Sequence, residues 1–317
     1  MMRWLFLLTA LLLASDETAS SSQQFIQALV NDVKHVAARG GYQGPGDIVT
    51  SNWSQWAGLR AFSAAKCGTK LAHAVRAAST GTCYGVSGQP GCDIQSTSAG
   101  DFDTSSFNTF CTGTTCKIST IYDQTSCGTN CDLTDNNSSA IDFPITTSCV
   151  NSKPCLASTS GTTSWLGAYN TATITVSTPY TLVAYQEQTA SPGFGDVMTW
   201  GGIGTTVGIG FHSSTTGAFG GLAGGTQGSV TLANSTWGAL VDEVPSASAN
   251  ASSMIANNGT ASTYTGSAIT ADRLTIGNGS GGATHFTGNI TEAGLLSTGS
   301  VSSALATNMC SYYGASC

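Results

Sequence analysis

The fold class depends on one stretch, the octapeptide YTLVAYQE at residues 180–187. Thr181, Val183 and Tyr185 alternate there with three further side chains, which is the period of a β-strand. Similar stretches, separated by Gly-rich turns, follow in the second half of the chain. Two further stretches of this kind lie in the first half. These predicted strands are residues 70–77, 117–122, 206–211, 237–244, 273–276 and 286–296. Many short strands joined by turn residues predict an all-β protein built as a two-sheet sandwich.

Helical spacing marks a few peripheral segments. Apolar residues between 23 and 38 recur at helical intervals, which predicts an N-terminal helix within residues 20–41. Residues 53–65 predict a second helix, since their large apolar side chains fall on one helical face. Asp103 is expected to cap a short helix that ends near Cys111. Residues 302–313 predict a closing helix.

The N-terminus has the layout of a secretory signal peptide, assigned to residues 1–19. Arg3 precedes the apolar run Trp4–Ala14. This run is shorter than the roughly 20 residues that cross a bilayer, and no later segment is long enough. A membrane anchor or a buried helix is the alternative. The net charge is −7 without any Lys/Arg cluster, so nucleic acid and anionic membranes are poor partners. We therefore expect an exported protein with no membrane span after signal removal.

Ten of the eleven cysteines fall into close pairs, and Cys67 is left over. In an exported protein, such pairs predict disulfides that close small loops, although spacing alone does not fix connectivity. The expected pairs are Cys83/Cys92, Cys111/Cys116, Cys127/Cys131, Cys149/Cys155 and Cys310/Cys317. The irregular spacing disfavours zinc, and nothing indicates another metal or a cofactor. Asn-x-Ser/Thr sequons also occur, and a eukaryotic secretory pathway would glycosylate some of them.

Two classes of side chain are candidates for sugar chemistry. Glycosidases use two carboxylates that face each other across a cleft, and the best candidates are Asp196 and Glu187, followed by Asp242 or Glu243. Aromatic rings stack on sugar rings, and the candidates for ligand binding are Trp165, Tyr169, Trp200 and Trp237. The ordinary alternatives are a solvated strand residue for each carboxylate and core packing for each aromatic ring.

Three groups of motifs resemble a known family. The first is GDIV at 46–49 with WAGLRAFSAA at 56–65, and the second is FCTGTTC at 110–116 with IYDQ at 121–124 and DLT at 132–134. Both resemble the catalytic domain of the α-L-arabinofuranosidase B family, glycoside hydrolase family 54. The third, FTGNITE at 286–292 with the closing helix, resembles concanavalin-A-like and laminin-G-like jelly rolls. The resemblance covers about 42–317. It implies one jelly-roll domain there and supports a Cys111–Cys116 disulfide.

The family's catalytic residues do not carry over. Its nucleophile is a Glu in a strand that matches residues 206–211 here, where Val207 takes the place of that Glu. Its acid/base Asp follows an Ile-Gly-Gly turn, whereas residues 276–279 here read IGNG. The family's vicinal cysteines are also absent. Since no Asp or Glu occurs between Asp196 and Asp242, a small alignment shift does not restore a nucleophile on that strand.

The leading hypothesis is therefore a secreted, non-catalytic jelly-roll protein that binds glycan or acts as a surface-interaction module. The alternative is an active α-L-arabinofuranosidase that acts on arabinose-containing polysaccharides with relocated carboxylates. A third hypothesis is a structural coat or tail component that is stabilised by disulfides. The sequence does not fix the oligomeric state.

Overall fold

The computed structural model describes residues 41–77, 80–134, 143–158, 166–190, 195–201, 208–215, 218–223, 229–246, 251–265, 269–277, 286–299 and 301–315. Contacts divide the chain into Met1–Gly40 and Gly41–Cys317, and every described residue belongs to the second unit. The predicted signal peptide and, apart from Gly41, the predicted N-terminal helix lie outside the described residues.

The described residues are mostly β-strand. Among these described residues three short α-helices occur: Pro45–Ile48 (α1), Thr104–Phe110 (α2) and Ser302–Tyr313 (α3). The strands are Trp53–Gly58 (β1), Lys70–Arg76 (β2), Gly81–Cys83 (β3), Val86–Gln89 (β4), Gly91–Gln95 (β5), Cys116–Ile121 (β6), Leu133–Thr134 (β7), Phe143–Val150 (β8), Lys153–Ser158 (β9), Leu166–Val176 (β10), Tyr180–Gln188 (β11), Gly195–Gly201 (β12), Gly208–Thr215 (β13), Ala218–Ala223 (β14), Ser229–Thr231 (β15), Trp237–Val244 (β16), Ser252–Ala256 (β17), Ser262–Tyr264 (β18), Ile269–Ile276 (β19) and Gly288–Leu296 (β20).

Antiparallel pairing links eighteen of these strands into one hydrogen-bonded network, and β3 and β4 form a separate hairpin. Strand β20 lies at the centre of one part of the network. It pairs with β11 along its whole length, with β9 over its first residues and with β1 over its second half. Strand β16 continues this part beyond β11. The predicted alternation at 180–187 is thus confirmed as a central strand.

Strand β11 is buried on both faces. Leu182 and Ala184 belong to a large core cluster that also contains residues of β2, β6 and β12, so two groups of strands share one core. Val183 and Tyr185 belong to a second cluster with Leu305 of α3. Because α3 covers the second face, neither face of β11 is left to solvent.

The helix predicted over residues 53–65 is wrong, since Trp53–Gly58 forms strand β1. A bulge between Trp53 and Gln55 adds one residue to the pairing with β20, so residues three apart share a face and imitate helical spacing. The Trp53 ring contacts the rings of Trp56 and Phe62 edge-on, with centroids 5.3 and 5.2 Å away. A Cβ at Gly294 would lie 2.7 Å from Trp56 Cε3, so glycine permits this close packing.

The short helix and the closing helix are confirmed. Asp103 Oδ1 accepts a hydrogen bond from Ser106 N at 3.0 Å, which caps α2 as predicted. Helix α3 begins and ends as predicted, and Gly314 follows it with φ 70°, the left-handed conformation that glycine readily adopts. None of the helices among the described residues is long and apolar enough to cross a bilayer.

Four disulfides join neighbouring cysteines. They are Cys83–Cys92, Cys111–Cys116, Cys127–Cys131 and Cys149–Cys155, with Cα atoms 5.4 to 5.9 Å apart. These are four of the five pairs expected from spacing. The fifth involves Cys317, which lies outside the described residues. Cys67 Sγ lies 3.9 Å from Ser63 O.

Candidate functional site

Two surface cavities share part of their lining, and we call the two together the Gln124 groove. Their volumes are about 360 and 290 Å³, and Lys66 and Gln124 line both. The groove is lined by Thr50, Ser51, Asn52, Trp53, Phe62, Lys66, Thr69, Lys70, Tyr122, Asp123, Gln124, Thr125, Ser126, Thr129 and Asp132. It thus combines aromatic rings, hydroxyls, two lysines and two carboxylates.

The buried amide of Gln124 holds the two walls of the groove together. Its Oε1 accepts a hydrogen bond from Phe62 N at 2.9 Å, and its Nε2 donates to Arg60 O at 3.1 Å. Asp123 Oδ1 likewise accepts a hydrogen bond from Trp56 N at 2.9 Å. The IYDQ motif at 121–124 therefore joins the end of β6 to β1 and the segment that follows it. This is a structural reason for those residue types.

The two carboxylates of the groove differ in what they bind. Asp123 Oδ2 accepts hydrogen bonds from Thr125 N at 3.0 Å and Thr125 Oγ1 at 2.7 Å, so both of its oxygens are engaged. Asp132 Oδ1 accepts one from Asp123 N at 2.8 Å. Its Oδ2 accepts no hydrogen bond from the part of the chain that the structure describes. Burial, together with the nearby charge of Asp123, raises the pKa of Asp132, and the backbone hydrogen bond opposes this.

The aromatic and basic side chains are also held in place. Trp53 Nε1 donates to Val49 O at 2.7 Å, which fixes the ring against Phe62 at one end of the groove. At the other end, Tyr122 OH donates to Asp93 Oδ1 at 2.7 Å, and Lys70 forms an ion pair with Asp93. Burial and the hydrogen bond to Asp93 raise the pKa of Tyr122, so it stays a neutral phenol. The groove is therefore preorganised at both ends.

The structure places the sequence-predicted carboxylates elsewhere. Glu187 lies on β11, and its Oε2 accepts a hydrogen bond from Asn289 Nδ2 at 2.8 Å. Asp196 lies on β12 opposite His212 in the strand register. Asp242 is fully buried, and Tyr264 OH lies within hydrogen-bond distance of both of its oxygens, 2.7 Å from Oδ1 and 2.6 Å from Oδ2. Neither Glu187, Asp196 nor Asp242 lines the Gln124 groove. Any catalytic role for them stays a prediction.

The two second-choice candidates, Asp242 and Glu243, lie on opposite faces of β16. Burial raises the pKa of Asp242 to about 7, and the Tyr264 hydrogen bond opposes that rise. Its neighbour Glu243 instead accepts a hydrogen bond from Val301 N at 2.6 Å, just before α3. Consecutive residues of a strand point to opposite faces, so these two carboxyls do not share a cleft. A catalytic role for either one stays a prediction.

The predicted aromatic residues are spread over several strands. Tyr169 lies on β10 opposite Arg273, and Trp200 lies on β12 opposite Ile209. Trp165 lies outside the described residues. Trp237 lies opposite Glu187 in the strand register and stacks on Tyr185 with centroids 5.7 Å apart. The structure thus brings Trp237 and Glu187 together, while their role in ligand binding stays a prediction.

Sequence reasoning missed the groove itself. The IYDQ and DLT motifs were the strongest sequence signal for the groove. They supported the family resemblance but were not predicted to be site residues. Among the described residues, no group of three or more His, Cys, Asp or Glu side chains is arranged to hold a metal ion. The groove can therefore supply hydrogen bonds, an apolar stacking surface and one carboxylate oxygen that is still open to a ligand.

The segment that carries most of the groove matches a protein family. Residues 60–153 match the family model described as "Alpha-L-arabinofuranosidase B, catalytic". The groove residues from Phe62 to Asp132 lie within this match, and those from Thr50 to Trp53 precede it. The predicted resemblance to the α-L-arabinofuranosidase B family is confirmed. A comparison with curated proteins found no match.

Solved structures show the same fold. A mutant of a glycoside hydrolase family 54 α-L-arabinofuranosidase, soaked with 4-nitrophenyl α-L-arabinofuranoside, superimposes with a TM-score of 0.62 at 17% identity. Such an enzyme soaked with a cyclic sulfate inhibitor gives 0.61 at 17%. Both alignments cover 84% of this chain and 65% of the other chain. An arabinofuranosidase complexed with arabinofuranosyl-α-1,2-xylobiose gives 0.54 at 17%, with coverage of 84% and 64%. This chain therefore spans slightly less than two thirds of each.

Proposed function

We propose that this protein is a secreted, carbohydrate-binding domain of the arabinofuranosidase B type, folded as a two-sheet, concanavalin-A-like jelly roll. The observation that carries the proposal is the Gln124 groove, which lies mostly within the segment that matches the family. The shared core between two groups of strands supports the sandwich. Four disulfides support an oxidising compartment outside the cytosol.

The lining of the groove suits a neutral, hydroxyl-rich ligand. Trp53 and Phe62 offer an apolar surface at one end, and Tyr122 offers another at the opposite end. Sugar rings stack on such surfaces, while hydroxyls seek directional partners. Asp132 Oδ2 can accept hydrogen bonds from sugar hydroxyls, and the surrounding threonines can donate or accept. The structural relatives with bound arabinofuranosides suggest arabinose-containing glycans as the ligand class.

A binding role is favoured over catalysis by the sequence of the strand expected to carry the nucleophile. Val207 occupies the expected position, and residues 197–241 contain no Asp or Glu. A retaining glycosidase needs a carboxylate nucleophile within about 5.5 Å of its acid/base partner. The groove does contain two neighbouring carboxylates, but Asp123 already uses both oxygens for backbone and side-chain hydrogen bonds.

The alternative is an active α-L-arabinofuranosidase with relocated carboxylates. One observation favours it: the pKa of Asp132 is raised by burial and by the nearby Asp123. Glycosidases use one protonated and one ionised carboxyl group, and such an environment separates the two pKa values. In this case, Asp132 would be the acid, rather than the predicted pair Asp196 and Glu187.

A paired assay separates the two functions. The purified protein is applied to an array of plant and bacterial polysaccharides, and it is also incubated with 4-nitrophenyl α-L-arabinofuranoside. We expect retention on arabinose-containing polymers without release of nitrophenol. Turnover that Asp132→Asn abolishes would replace the binding proposal with the enzymatic one. If the protein is neither retained by any polysaccharide nor active on the substrate, only a structural or protein-interaction role is left.

A further inference from the structure

The two cavities of the Gln124 groove differ in what they offer a ligand. The larger one, of about 360 Å³, is lined by the rings of Trp53 and Phe62, and we call it the tryptophan cavity. The smaller one, of about 290 Å³, is lined by Tyr122 and Asp132, and we call it the carboxylate cavity. Among the described residues that line the tryptophan cavity, none carries a carboxyl group. One cavity therefore favours stacking, whereas the other adds a carboxyl oxygen as an acceptor.

A single stretch of backbone connects the linings of the two cavities. Tyr122 lines the carboxylate cavity, Gln124 lines both, and Ser126 lines the tryptophan cavity. A fully extended chain advances at most about 3.6 Å per residue, so Tyr122 and Ser126 lie no more than roughly 14 Å apart. Two linked sugar rings reach across a distance of this order. The two linings are therefore close enough for one ligand to contact both.

Lys66 and Gln124 are the two described residues that line both cavities, and their polar groups are engaged differently. Gln124 is buried, and both ends of its amide already form hydrogen bonds, with Phe62 N and Arg60 O. Lys66 is half-buried, and no described residue forms an ion pair with its ammonium group. An ammonium group has three hydrogen-bond donors. Lys66 can therefore donate hydrogen bonds to a ligand that contacts both cavities.

We propose that the two cavities are two sugar subsites with Lys66 as the specificity-determining residue at their junction, so that the groove selects a glycan of at least two linked units. This inference rests on the proposed glycan-binding function and adds the length of the ligand. One unit stacks on Trp53, the next presents its hydroxyls to Asp132, and Lys66 donates to oxygens near the linkage. Once one unit is bound, contact by the second is intramolecular, so a disaccharide binds much more tightly than a monosaccharide.

The test is a calorimetric titration of the intact protein with L-arabinose, arabinobiose and arabinotriose. We expect arabinobiose to bind at least about tenfold more tightly than L-arabinose, because its second ring occupies the second cavity. A third unit extends beyond the two described cavities, so arabinotriose should gain less than about threefold over arabinobiose. Lys66→Met should lower the affinity ratio of arabinobiose to L-arabinose to less than about three. The matched control is Lys117→Met, which changes a half-buried lysine of β6 outside both cavities and should keep the native ratio.

Three results would overturn the proposal. Equal affinities for L-arabinose and arabinobiose would exclude two subsites, while glycan binding by the groove would stand. If none of the three sugars binds, the proposed function fails together with the subsites. A native affinity ratio in Lys66→Met would show that Lys66 does not act at the junction. Should Lys66→Met fail to fold, Asp132→Asn changes the carboxylate cavity alone, and it must lower the ratio in the same way.

Discussion

Two polar regions lie on either side of the segment that follows β1, and they are built differently. On one side, Arg60 and Glu292 form a fully buried ion pair with two hydrogen bonds of 2.6 and 2.8 Å. Asn308 of α3 accepts a further hydrogen bond from Arg60 Nη2, and the Tyr312 ring lies 4.5 Å from the guanidinium carbon. On the other side, the Gln124 groove is open to solvent.

The difference concerns which polar atoms are already engaged. In the buried region, both oxygens of Glu292 are taken by Arg60, and Tyr313 OH also lies 3.2 Å from Oε2. Desolvation alone would lower the pKa of Arg60, but Glu292 raises it above its ordinary value, so the guanidinium stays charged. Burial raises the pKa of Glu292, and the charge and hydrogen bonds of Arg60 oppose that rise. In the groove, Asp132 keeps one oxygen for a ligand. The buried pair therefore serves architecture, whereas the groove keeps polar atoms that are not yet engaged.

The largest expected effect comes from breaking the buried pair. Glu292→Gln leaves the guanidinium of Arg60 buried without a counter-charge, which typically costs about 3–5 kcal/mol. The free energy of unfolding, measured by urea denaturation, should fall by that amount. The double change Arg60→Met with Glu292→Gln should recover part of the loss, because no charge is then left buried. A loss below about 1 kcal/mol in the single variant would contradict the role given to this pair.

Glu243 provides a matched control for the loss of a carboxylate charge that is not paired with Arg60. Glu243→Gln changes a half-buried carboxylate whose Oε1 accepts a hydrogen bond from Val301 N. The amide oxygen of glutamine can keep that bond, so the free energy of unfolding should change by less than about 1.5 kcal/mol. An equal loss in Glu243→Gln and Glu292→Gln would mean that charge pairing with Arg60 is not the cause.

Asp242 differs from Glu292, because it is a buried carboxyl that has no buried cation bound to it in the part of the chain described. Burial raises its pKa to about 7 in the folded protein, against about 4 in the unfolded chain. Its contribution to stability is therefore fully present below pH 4 and is lost as the pH rises through 7. The free energy of unfolding should fall by up to about 1.4 kcal/mol per pH unit in this window from this group.

The Asp242→Asn variant should remove this pH dependence, because asparagine cannot ionise. Thermal unfolding at intervals between pH 4 and pH 8 would measure the difference in slope between the variant and the native chain. Asp103→Asn is the control, since asparagine caps a helix about as well as aspartate. An unchanged slope in Asp242→Asn would show that other groups govern the acid side of the stability curve.

Local patterns predicted much of the fold, and long-range contacts decided the rest. Strand β16 and helix α3 begin and end as predicted, because the period of their apolar residues is clear within each segment. The four disulfides join cysteines no more than nine residues apart, so proximity in sequence was a good guide. Strand β1 was mistaken for a helix, since its bulge places Trp53 and Trp56 on one face.

The groove could not be predicted from spacing, because its walls come from distant segments. Gln124 joins the end of β6 to Phe62, more than sixty residues earlier, and this contact exists only in the folded chain. The family motifs marked these residues without revealing their geometry. Which of the predicted carboxylates share a face likewise depends on strand register, which spacing along the sequence does not reveal.

Two tryptophan changes compare the groove with the neighbourhood of Glu187 and Trp237, which lie opposite each other on β11 and β16. Trp53 lines the groove, whereas Trp237 stacks on Tyr185. Trp53→Phe should weaken binding of an arabinofuranosyl oligosaccharide about three- to tenfold, because a smaller ring offers less stacking surface. Trp237→Phe should leave that affinity unchanged. Fluorescence titration of both variants measures the difference, and the reverse order would move the main site to the surface beside Glu187.

Asp132 offers the decisive test of glycan binding in the Gln124 groove. The Asp132→Asn variant keeps an oxygen that can accept the hydrogen bond from Asp123 N, so its unfolding midpoint should match the native protein. It loses the oxygen that we assign to sugar hydroxyls. Calorimetric titration with an arabinofuranosyl oligosaccharide should then show an affinity at least about tenfold lower than that of the native chain. Unchanged affinity in a normally folded Asp132→Asn protein would contradict the claim that the Gln124 groove binds glycan.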